Sequence, residues 1–225
     1  MPDSKLSLCD EPAVLVSEVA RVISTALEDA LEARGAASLA LPGGTTPALY
    51  LGAIAALPLA WEHIHVTLTD ERRVSPGDPA SNETQLKRLF LHGRARRARY
   101  FSWEIPAQSD ADAVRLVADR LVGLHWPLDL VVLGMGEDGH VASLFPGVPV
   151  TTSDPVVATL APSAPRARIS LSYAALLQAR QALVVTTGPA KRALVERVLA
   201  GGYADLPIAR LQAALGIRLS IVALS

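Results

Sequence analysis

The sequence predicts an α/β fold with a single domain, in which helices flank a doubly wound, mostly parallel sheet. Strand and helix patterns alternate along the chain, and no linker-like stretch divides it. The 225 residues, half of them hydrophobic, are enough to bury one substantial core. Three predicted strands end in glycine or charged residues, after Leu41, Thr69 and Leu133. Because ligands bind at the carboxyl ends of strands in such sheets, we expect these three ends to share one cleft.

The first half of the chain is assigned from hydrophobic spacing and from residues that begin or end helices. A long amphipathic helix has apolar residues three and four apart, and Gly35 is its expected carboxyl-terminal cap. Proline marks the start of the next helix, which follows P-G-G-T-T-P. Short apolar or alternating β-branched runs are expected to be strands. The predicted elements are a helix at 12–34, a strand at 38–41, a helix at about 47–56, a strand at 63–69 and a helix at 81–91.

The second half continues the same alternation. Run 128–133, L-D-L-V-V-L, is short, β-branched and nearly free of charge, as expected of a strand buried on both faces of a parallel sheet. The helix before it again has apolar residues three and four apart. The predicted elements are a short strand at 99–102, a helix at 111–124, strands at 128–133, 167–172 and 182–187, a helix at 189–199 and a last strand at 218–224.

A glycine-rich segment after the strand at 128–133 carries the strongest functional signal. Residues 133–147 read L-G-M-G-E-D-G-H-V-A-S-L-F-P-G, so His140 follows the carboxyl end of a buried strand. Histidine exchanges protons near neutral pH, and the surrounding glycines allow the backbone to turn sharply and approach a substrate. We therefore predict that chemistry takes place at this segment.

Two other interpretations compete with catalysis for this segment. Gly134, Gly136 and Gly139 match the G-x-G-x-x-G pattern of dinucleotide sites. Prolines interrupt the helix that such a site needs, and Glu137 and Asp138 would bring negative charge to a pyrophosphate, so this interpretation is disfavoured. The second alternative is a structural glycine turn with a hydrogen-bonded histidine.

The loop P-G-G-T-T-P at 42–47 is predicted to bind a phosphate. Gly43 and Gly44 are expected to expose backbone N–H groups, Thr45 and Thr46 offer hydroxyl groups, and a helix begins there. The lysine and the long glycine spacing of a nucleoside triphosphate loop are missing. The alternative is an ordinary strand-to-helix turn with a threonine cap.

Two cations later in the chain are candidates to complete that site. Lys191 lies in T-T-G-P-A-K, in the first turn of a predicted helix, where positive charge opposes the helix dipole and suggests an anionic partner. Arg168 begins the R-I-S-L-S strand, and its guanidinium suits bidentate phosphate binding. A solvated surface arginine is the alternative for Arg168.

Composition excludes several function classes. The formal net charge of −1 gives no overall attraction to nucleic acid or membranes, and Cys9 is the only cysteine. The first ten residues lack an export signal, and no run is long enough to cross a membrane, so we expect a cytoplasmic protein.

Metal and nucleic-acid binding are also not expected. No carboxylate or cysteine pattern completes a zinc site with His63 and His65, so no metal is expected. One basic stretch near Tyr100 and Phe101 is more typical of a solvated connection than of nucleic-acid binding; it comprises Arg88, His92, Arg94, Arg96, Arg97 and Arg99.

Together, five motifs resemble the 6-phosphogluconolactonases of the glucosamine-6-phosphate isomerase/deaminase superfamily. They are P-G-G-T-T-P, T-D-E-R-R-V with S-N-E-T, the D-G-H-V-A-S-L-F-P-G block, R-I-S-L-S and G-P-A-K, in family order from about residue 38 to 200. The resemblance implies a modified Rossmann-like fold, a sugar-phosphate lactone as substrate and no cofactor. It also implies that Gly44, Thr45, Thr46, Arg168 and Lys191 bind the phosphate, with Asp70, Arg72 and His140 at the reacting end.

The chemistry of a lactonase suits these residues. His140 is expected to deprotonate a water and then return the proton to the leaving oxygen. Backbone N–H groups of the 134–139 loop or Arg72 are candidates to stabilise the oxyanion. Either Asp138 or Asp70 is expected to orient the imidazole or a substrate hydroxyl, or else to cap the loop.

Two further functions remain as alternatives to the lactonase. In deaminases of the superfamily this block resembles D-G-H-I-A-F-N-E-P, with a glutamate that assists ring opening. Here Ser143, Leu144 and Phe145 precede Pro146, so that glutamate is absent. A lactonase is therefore preferred to a deaminase or sugar-phosphate isomerase. A non-catalytic sugar-phosphate sensor is disfavoured by the presence of His140. Either a monomer or a homodimer is compatible with the sequence.

Overall fold

The computed structural model describes residues 5–105, 109–148 and 152–225, so residues 1–4 of the amino-terminal segment lie outside it. Within these ranges the strands are β1 (Lys5–Cys9), β2 (Ala37–Leu41), β3 (Ile64–Leu68), β4 (Asp70–Arg72), β5 (Arg99–Tyr100), β6 (Leu130–Leu133), β7 (Val156–Leu160), β8 (Ala167–Leu171), β9 (Gln181–Thr187) and β10 (Leu219–Leu224). The helices are α1 (Pro12–Arg34), α2 (Thr45–Ala55), α3 (Asn82–Leu89), α4 (Asp110–Arg120), α5 (Tyr173–Gln178), α6 (Pro189–Leu199) and α7 (Pro207–Leu215).

The main sheet has seven parallel strands in the order β1-β10-β9-β6-β2-β3-β5. Its central strands β2 and β6 are buried throughout, which explains their uncharged, apolar sequences. The predicted α/β class with a doubly wound, mostly parallel sheet is confirmed. From β2 the chain proceeds outward through β3 and β5, and from β6 it proceeds in the opposite direction through β9 and β10. The strand order therefore reverses between β2 and β6, where such folds place their ligand crevice.

A second sheet of three antiparallel strands, in the order β4-β8-β7, was not predicted. The sequence D-E-R of β4 has no apolar pattern and was interpreted only as a charged cluster at a strand end. Pairing with β8 buries this cluster and sets Arg72 directly opposite Arg168. The small sheet therefore brings polar residues to the carboxyl edge of the main sheet.

Several helix ends agree with the sequence, and one differs in a way that matters for the site. The predicted bounds of α1 and α6 are confirmed, and Gly35 caps α1 with a φ of 71°. Helix α2 begins at Thr45, two residues before the predicted start, because Gly44 at its amino-terminal cap has a φ of 109°. Thr45 and Thr46 therefore belong to the first turn of α2, next to the predicted anion site.

Surface features agree with a solvated exterior. The six basic residues between 88 and 99 are exposed, Arg97 pairs with Glu62, and the Arg99 guanidinium lies 5.0 Å from the Phe101 ring centroid. Among the described residues, no helix is long and apolar enough to cross a membrane. In the same part of the chain, no cluster of three His, Cys, Asp or Glu residues is arranged to hold a metal ion.

The amino edge of the sheet, opposite the ligand crevice, is held by Asp129. One carboxylate oxygen accepts from the Ser38 backbone N–H at 2.8 Å and from its hydroxyl at 3.2 Å. The other lies 2.6 Å from Arg34 Nη2 and 3.2 Å from Arg180 Nε. These bonds join β2, β6 and α1, and since Asp129 and Ser38 are both buried, water cannot replace the bonds between those two residues.

Replacing Asp129 by alanine is expected to lower the free energy of unfolding by about 2 kcal/mol, because the Ser38 N–H loses its buried acceptor. Arg34 and Arg180 are partly exposed and can be rehydrated, which limits the cost. Urea denaturation measures the change, with the exposed Asp119→Ala as the matched control. A loss no larger than that of the control would show that the network contributes little to stability.

Candidate active site

A cleft of about 320 Å³ opens where the strand order reverses, between the ends of β2 and β6. The expected convergence of the ends after Leu41, Thr69 and Leu133 is confirmed by its lining, which comprises Pro42, Gly43, Gly44, Thr45, Thr46, Pro47, Asp70, Arg72, Asn82, Gly134, Met135, Gly136, His140, Ala142 and Lys191. Most of the sequence-predicted site residues therefore lie in one cavity. Asp138 and Arg168 do not line the cleft. Asp138 bonds His140, which does, and Arg168 lies opposite Arg72, which does.

His140 lies in the cleft with one ring nitrogen already occupied. Its Nδ1 is 2.6 Å from Asp138 Oδ1, and the ring packs against Phe145 with a centroid distance of 4.8 Å. An ionised carboxylate can only accept hydrogen bonds, so in the neutral imidazole Nδ1 carries the proton and Nε2 keeps its lone pair. This arrangement gives a proton acceptor, fixed by two contacts, at the surface of the cleft.

The backbone from Gly136 to His140 forms a tight turn that brings Asp138 and His140 together. Gly136 donates its N–H to the His140 carbonyl at 3.0 Å, and Gly139 donates to the Gly136 carbonyl at 3.1 Å. A Cβ at Gly136 would overlap both His140 Nδ1 and Asp138 Oδ1, so only glycine fits beside this pair. The N–H groups of Gly136 and Gly139 are thus used within the turn, so these two of the 134–139 loop are not free to serve as oxyanion donors.

The dinucleotide interpretation of the three glycines also fails. Such a site requires a helix directly after the glycines, with its amino terminus facing the pyrophosphate. Between Gly134 and the start of β7, the described residues form turns and isolated bridges without a helix.

The Asp70 carboxylate is held by hydroxyl groups, and none of its hydrogen bonds to described residues is to the imidazole. It is buried, and it accepts from Thr69 Oγ1 at 2.9 Å and from Ser143 Oγ at 2.7 Å. Of the two aspartates that the sequence left open, Asp138 is therefore the one bonded to His140. Asp70 presents a fixed carboxylate to another part of the same cleft.

Two arginines meet at the β4–β8 pair. Arg72 lines the cleft and donates from Nη1 to the Ala80 carbonyl at 2.5 Å. Arg168 is directly opposite it, is only 8% exposed, and has no hydrogen-bond partner for Nη1 among the described residues. Burial, and next the charge of Arg72, lowers the pKa of Arg168. The alternative of a solvated surface arginine is wrong, because this guanidinium is buried beside a like charge.

The loop 42–47 faces the cleft, but its contacts differ from the expected ones. The Gly44 N–H donates to Gln85 Oε1 at 2.6 Å, so the expectation that this group is free for a phosphate is wrong. Thr46 Oγ1 lies 3.0 Å from Thr187 Oγ1, which joins the loop to the end of β9. No side chain among the described residues caps α2. Its first-turn N–H groups and the exposed Thr45 remain as the anion-binding groups of the loop.

Lys191 lies in the first turn of α6 and lines the same cleft. Its half-buried side chain takes part in none of the ion pairs between described residues. The amino terminus of α2, which has no side-chain cap in the described structure, and the side chain of Lys191 therefore share one cavity. This combination favours an anionic ligand.

Three residues at the site escaped the sequence analysis as functional candidates. Asn82, within the S-N-E-T motif, is buried and donates from Nδ2 to the Asp70 carbonyl at 2.8 Å. Ser143 holds Asp70, and Gln85 holds Gly44. Asn82 and Ser143 lie within quoted motifs, but the motifs did not reveal their contacts, and Gln85 lies outside them; the partners of Ser143 and Gln85 are 73 and 41 residues away.

Fold and site together define an α/β protein whose cleft, at the carboxyl edge of a parallel sheet, contains an aspartate-bonded histidine, a lysine and the start of a helix. Comparison with known proteins gives the particular family. A family profile described as "Glucosamine-6-phosphate isomerases/6-phosphogluconolactonase" matches residues 10–218. The chain belongs to this family.

Individual relatives agree with that membership. The 6-phosphogluconolactonase of Pseudomonas aeruginosa is 37% identical over 201 residues, which are 86% of this chain and 83% of that protein. The 6-phosphogluconolactonase of Mesorhizobium japonicum is 36% identical over 200 residues, with 86% and 84% covered. The crystal structure of a 6-phosphogluconolactonase from Shewanella baltica superposes with a TM-score of 0.92 at 30% identity, covering 99% of this chain and 98% of that one.

Proposed function

We propose that this protein hydrolyses 6-phospho-D-glucono-1,5-lactone to 6-phospho-D-gluconate, the lactonase reaction of the oxidative pentose phosphate pathway. The observation that carries the proposal is the Asp138-bonded His140 in a cleft that also contains Lys191, which forms no ion pair with any described residue. A lactone with a remote phosphate needs a base at one end of its site and a cation at the other. The family and the relatives reported above support the same reaction.

In the proposed mechanism His140 serves first as base and then as acid. Nε2 takes a proton from water as the water oxygen attacks C1, and negative charge moves to the carbonyl oxygen. When the tetrahedral intermediate collapses, the bond from C1 to the ring oxygen breaks and Nε2 returns the proton to that oxygen. Such proton transfer contributes roughly 10²–10⁴-fold in rate. Asp138 keeps the imidazole in the tautomer that both steps require.

The oxyanion is proposed to be stabilised by Arg72, because the Gly136 and Gly139 N–H groups are already used in the turn. Arg168 adds positive charge behind Arg72. Asp70, fixed by Thr69 and Ser143, is a suitable acceptor for a sugar hydroxyl. These roles place attacking water, carbonyl and ring hydroxyls against groups with little freedom to move, which lowers the entropic part of the barrier.

The phosphate is proposed to bind at the other end, between Lys191, Thr45, Thr46 and the first turn of α2. Gly43 and Gly44 contribute by allowing the phosphate to approach the backbone closely. Arg168, which lies opposite Arg72, is proposed to attract the phosphate through its positive charge. Binding energy from this remote group then serves to orient the lactone.

Replacing Lys191 by methionine is expected to raise the KM for the phosphorylated lactone about 10- to 100-fold, as expected for loss of a hydrogen bond between charged groups. The effect on kcat should be small, since the phosphate is distant from the bond that breaks. The exposed Lys5, on the edge strand β1 and outside the cleft, provides the control Lys5→Met. A large fall in kcat at constant KM would instead place Lys191 at the reacting end.

The runner-up is the deaminase or isomerase chemistry of the same family. Ser143, Leu144 and Phe145 occupy the block where deaminases are expected to carry their glutamate, and Ser143 here bonds Asp70. Purified protein should therefore be assayed in parallel with fresh 6-phosphogluconolactone and with glucosamine 6-phosphate. We expect lactone hydrolysis well above the spontaneous rate and no ammonia release. The reverse pattern would replace the proposal with the deaminase.

We also propose that residues 1–225 form one catalytic domain without a cofactor, which acts in the cytoplasm as a monomer or homodimer and does not bind nucleic acid. Activity that survives a metal chelator would agree with the proposed independence of metals.

A further inference from the structure

We propose that Gln85 is a positioning residue that sets the preference of this site for phosphorylated lactones. It acts by fixing Gly44 in the loop 42–47, which is proposed to bind the phosphate, and it does not line the cleft itself. The inference rests on the proposed function, and it adds a residue with no recognisable motif.

The Gln85 carboxamide binds both backbone groups of Gly44. Oε1 accepts from the Gly44 N–H at 2.6 Å, and Nε2 donates to the Gly44 carbonyl at 2.9 Å. One donor and one acceptor on the same peptide residue fix which way the amide is turned. Gly44 is thereby held in a single orientation at the amino-terminal cap of α2.

We call these two hydrogen bonds the Gln85–Gly44 clasp. The clasp matters because Gly44 has unusual backbone geometry. Its φ of 109° lies where residues with a side chain are strained, and no side-chain cap bond fixes the start of α2 among the described residues. A free glycine in this position would sample many conformations. By fixing the backbone of Gly44, Gln85 therefore fixes the direction of the first turn of α2, so that Thr45 and Thr46 face the cleft.

Helix α3, which carries Gln85, is fixed to the reacting end of the site. Glu71, between Asp70 and Arg72, accepts from Ser81 Oγ at 2.8 Å and from the N–H groups of Asn82 and Glu83, both at 2.7 Å.

Asn82, the first residue of α3, completes this attachment. It bonds the Asp70 carbonyl, and a Cβ at Gly43 would overlap its side chain. The same short helix thus contacts both the reacting end and the phosphate loop. Through these contacts α3 sets the spacing between the two ends of the site.

The test compares Gln85→Met, which keeps the length of the side chain but makes neither hydrogen bond, with the exposed Gln181→Met at the opposite edge of the sheet. For Gln85→Met we expect the KM for 6-phosphogluconolactone and the inhibition constant of inorganic phosphate to rise together by about tenfold, the loss expected for two neutral hydrogen bonds. The kcat should change less than about twofold, and Gln181→Met should leave all three constants unchanged.

Two further measurements keep the inference testable. Gln85→Glu retains an acceptor for the Gly44 N–H but loses the donor and adds negative charge, so it should raise KM at least as much, even if the methionine variant folds poorly. Direct titration with inorganic phosphate separates this inference from the proposed function. If the wild type does not hydrolyse the lactone but Gln85→Met still weakens phosphate binding, the clasp stands and the lactonase proposal fails. Unchanged phosphate affinity in both variants, or a fall in kcat at constant KM, would overturn the positioning role.

Discussion

Replacing His140 by alanine is expected to lower kcat for lactone hydrolysis by roughly 10²–10⁴-fold, the usual contribution of a general base. Binding of 6-phosphogluconate should change little, because the proposed phosphate contacts come from α2 and α6. The fold should also persist, since the His140 side chain is about one-third exposed and lies at the surface of the cleft. Stopped-flow measurement with freshly generated lactone, corrected for spontaneous hydrolysis, gives kcat directly.

The exposed His63, outside the cleft, provides the matched control His63→Ala, which should retain full activity. Asp138→Asn should fall between the two, because an amide can turn its NH₂ group toward Nδ1 and favour the wrong tautomer. A fast His140→Ala enzyme would move the base to another group in the cleft, with Asp70 the next candidate.

Replacing Gly136 by alanine is expected to reduce kcat about 10²-fold, although the change adds only one methyl group. The new Cβ would overlap both His140 Nδ1 and Asp138 Oδ1, so the hydrogen bond between them cannot form in its present geometry. A displacement of the base by about 1 Å is enough for a loss of this size. The KM should change much less, as the phosphate end is not touched.

Gly52→Ala is the control for this substitution, because Gly52 lies within α2 and an added Cβ there meets only the Leu89 carbonyl oxygen, at 4.0 Å. That variant should be as active as the wild type and slightly more stable, since alanine favours a helix. Wild-type kcat in Gly136→Ala would mean that the pairing of Asp138 with His140 is not needed for catalysis.

Local sequence signals predicted those parts of the fold that depend on them. Helices α1 and α6 begin with proline, and α1 ends at glycine, so these bounds agreed with the structure. Helix α2 started earlier than predicted, because the unusual φ of Gly44 is stabilised by Gln85 from another helix. The strand of β4 could not be recognised, because D-E-R has no apolar pattern and its strand partner β8 lies almost one hundred residues later.

The candidate site shows the same division. The position of His140 after a buried strand followed from the apolar run before it, and Asp138 is two residues away in the chain. The pairing of Arg72 with Arg168 and the contact of Ser143 with Asp70 depend on the small antiparallel sheet and the 134–148 segment folding together. Residue types alone therefore indicated the chemistry, while the packing decided which N–H groups remain available for an oxyanion or a phosphate.

The most direct test of the proposed activity is the rate at which the wild-type protein consumes freshly generated 6-phospho-D-glucono-1,5-lactone near neutral pH. Proton release should be followed against a matched buffer blank, and glucono-1,5-lactone should be measured beside it as the substrate without phosphate. We expect the phosphorylated lactone to disappear far faster than in the blank, and the unphosphorylated one to be a much poorer substrate. A rate equal to that of the blank, in protein that still binds 6-phosphogluconate, would contradict the lactonase and identify this cleft as a sugar-phosphate sensor.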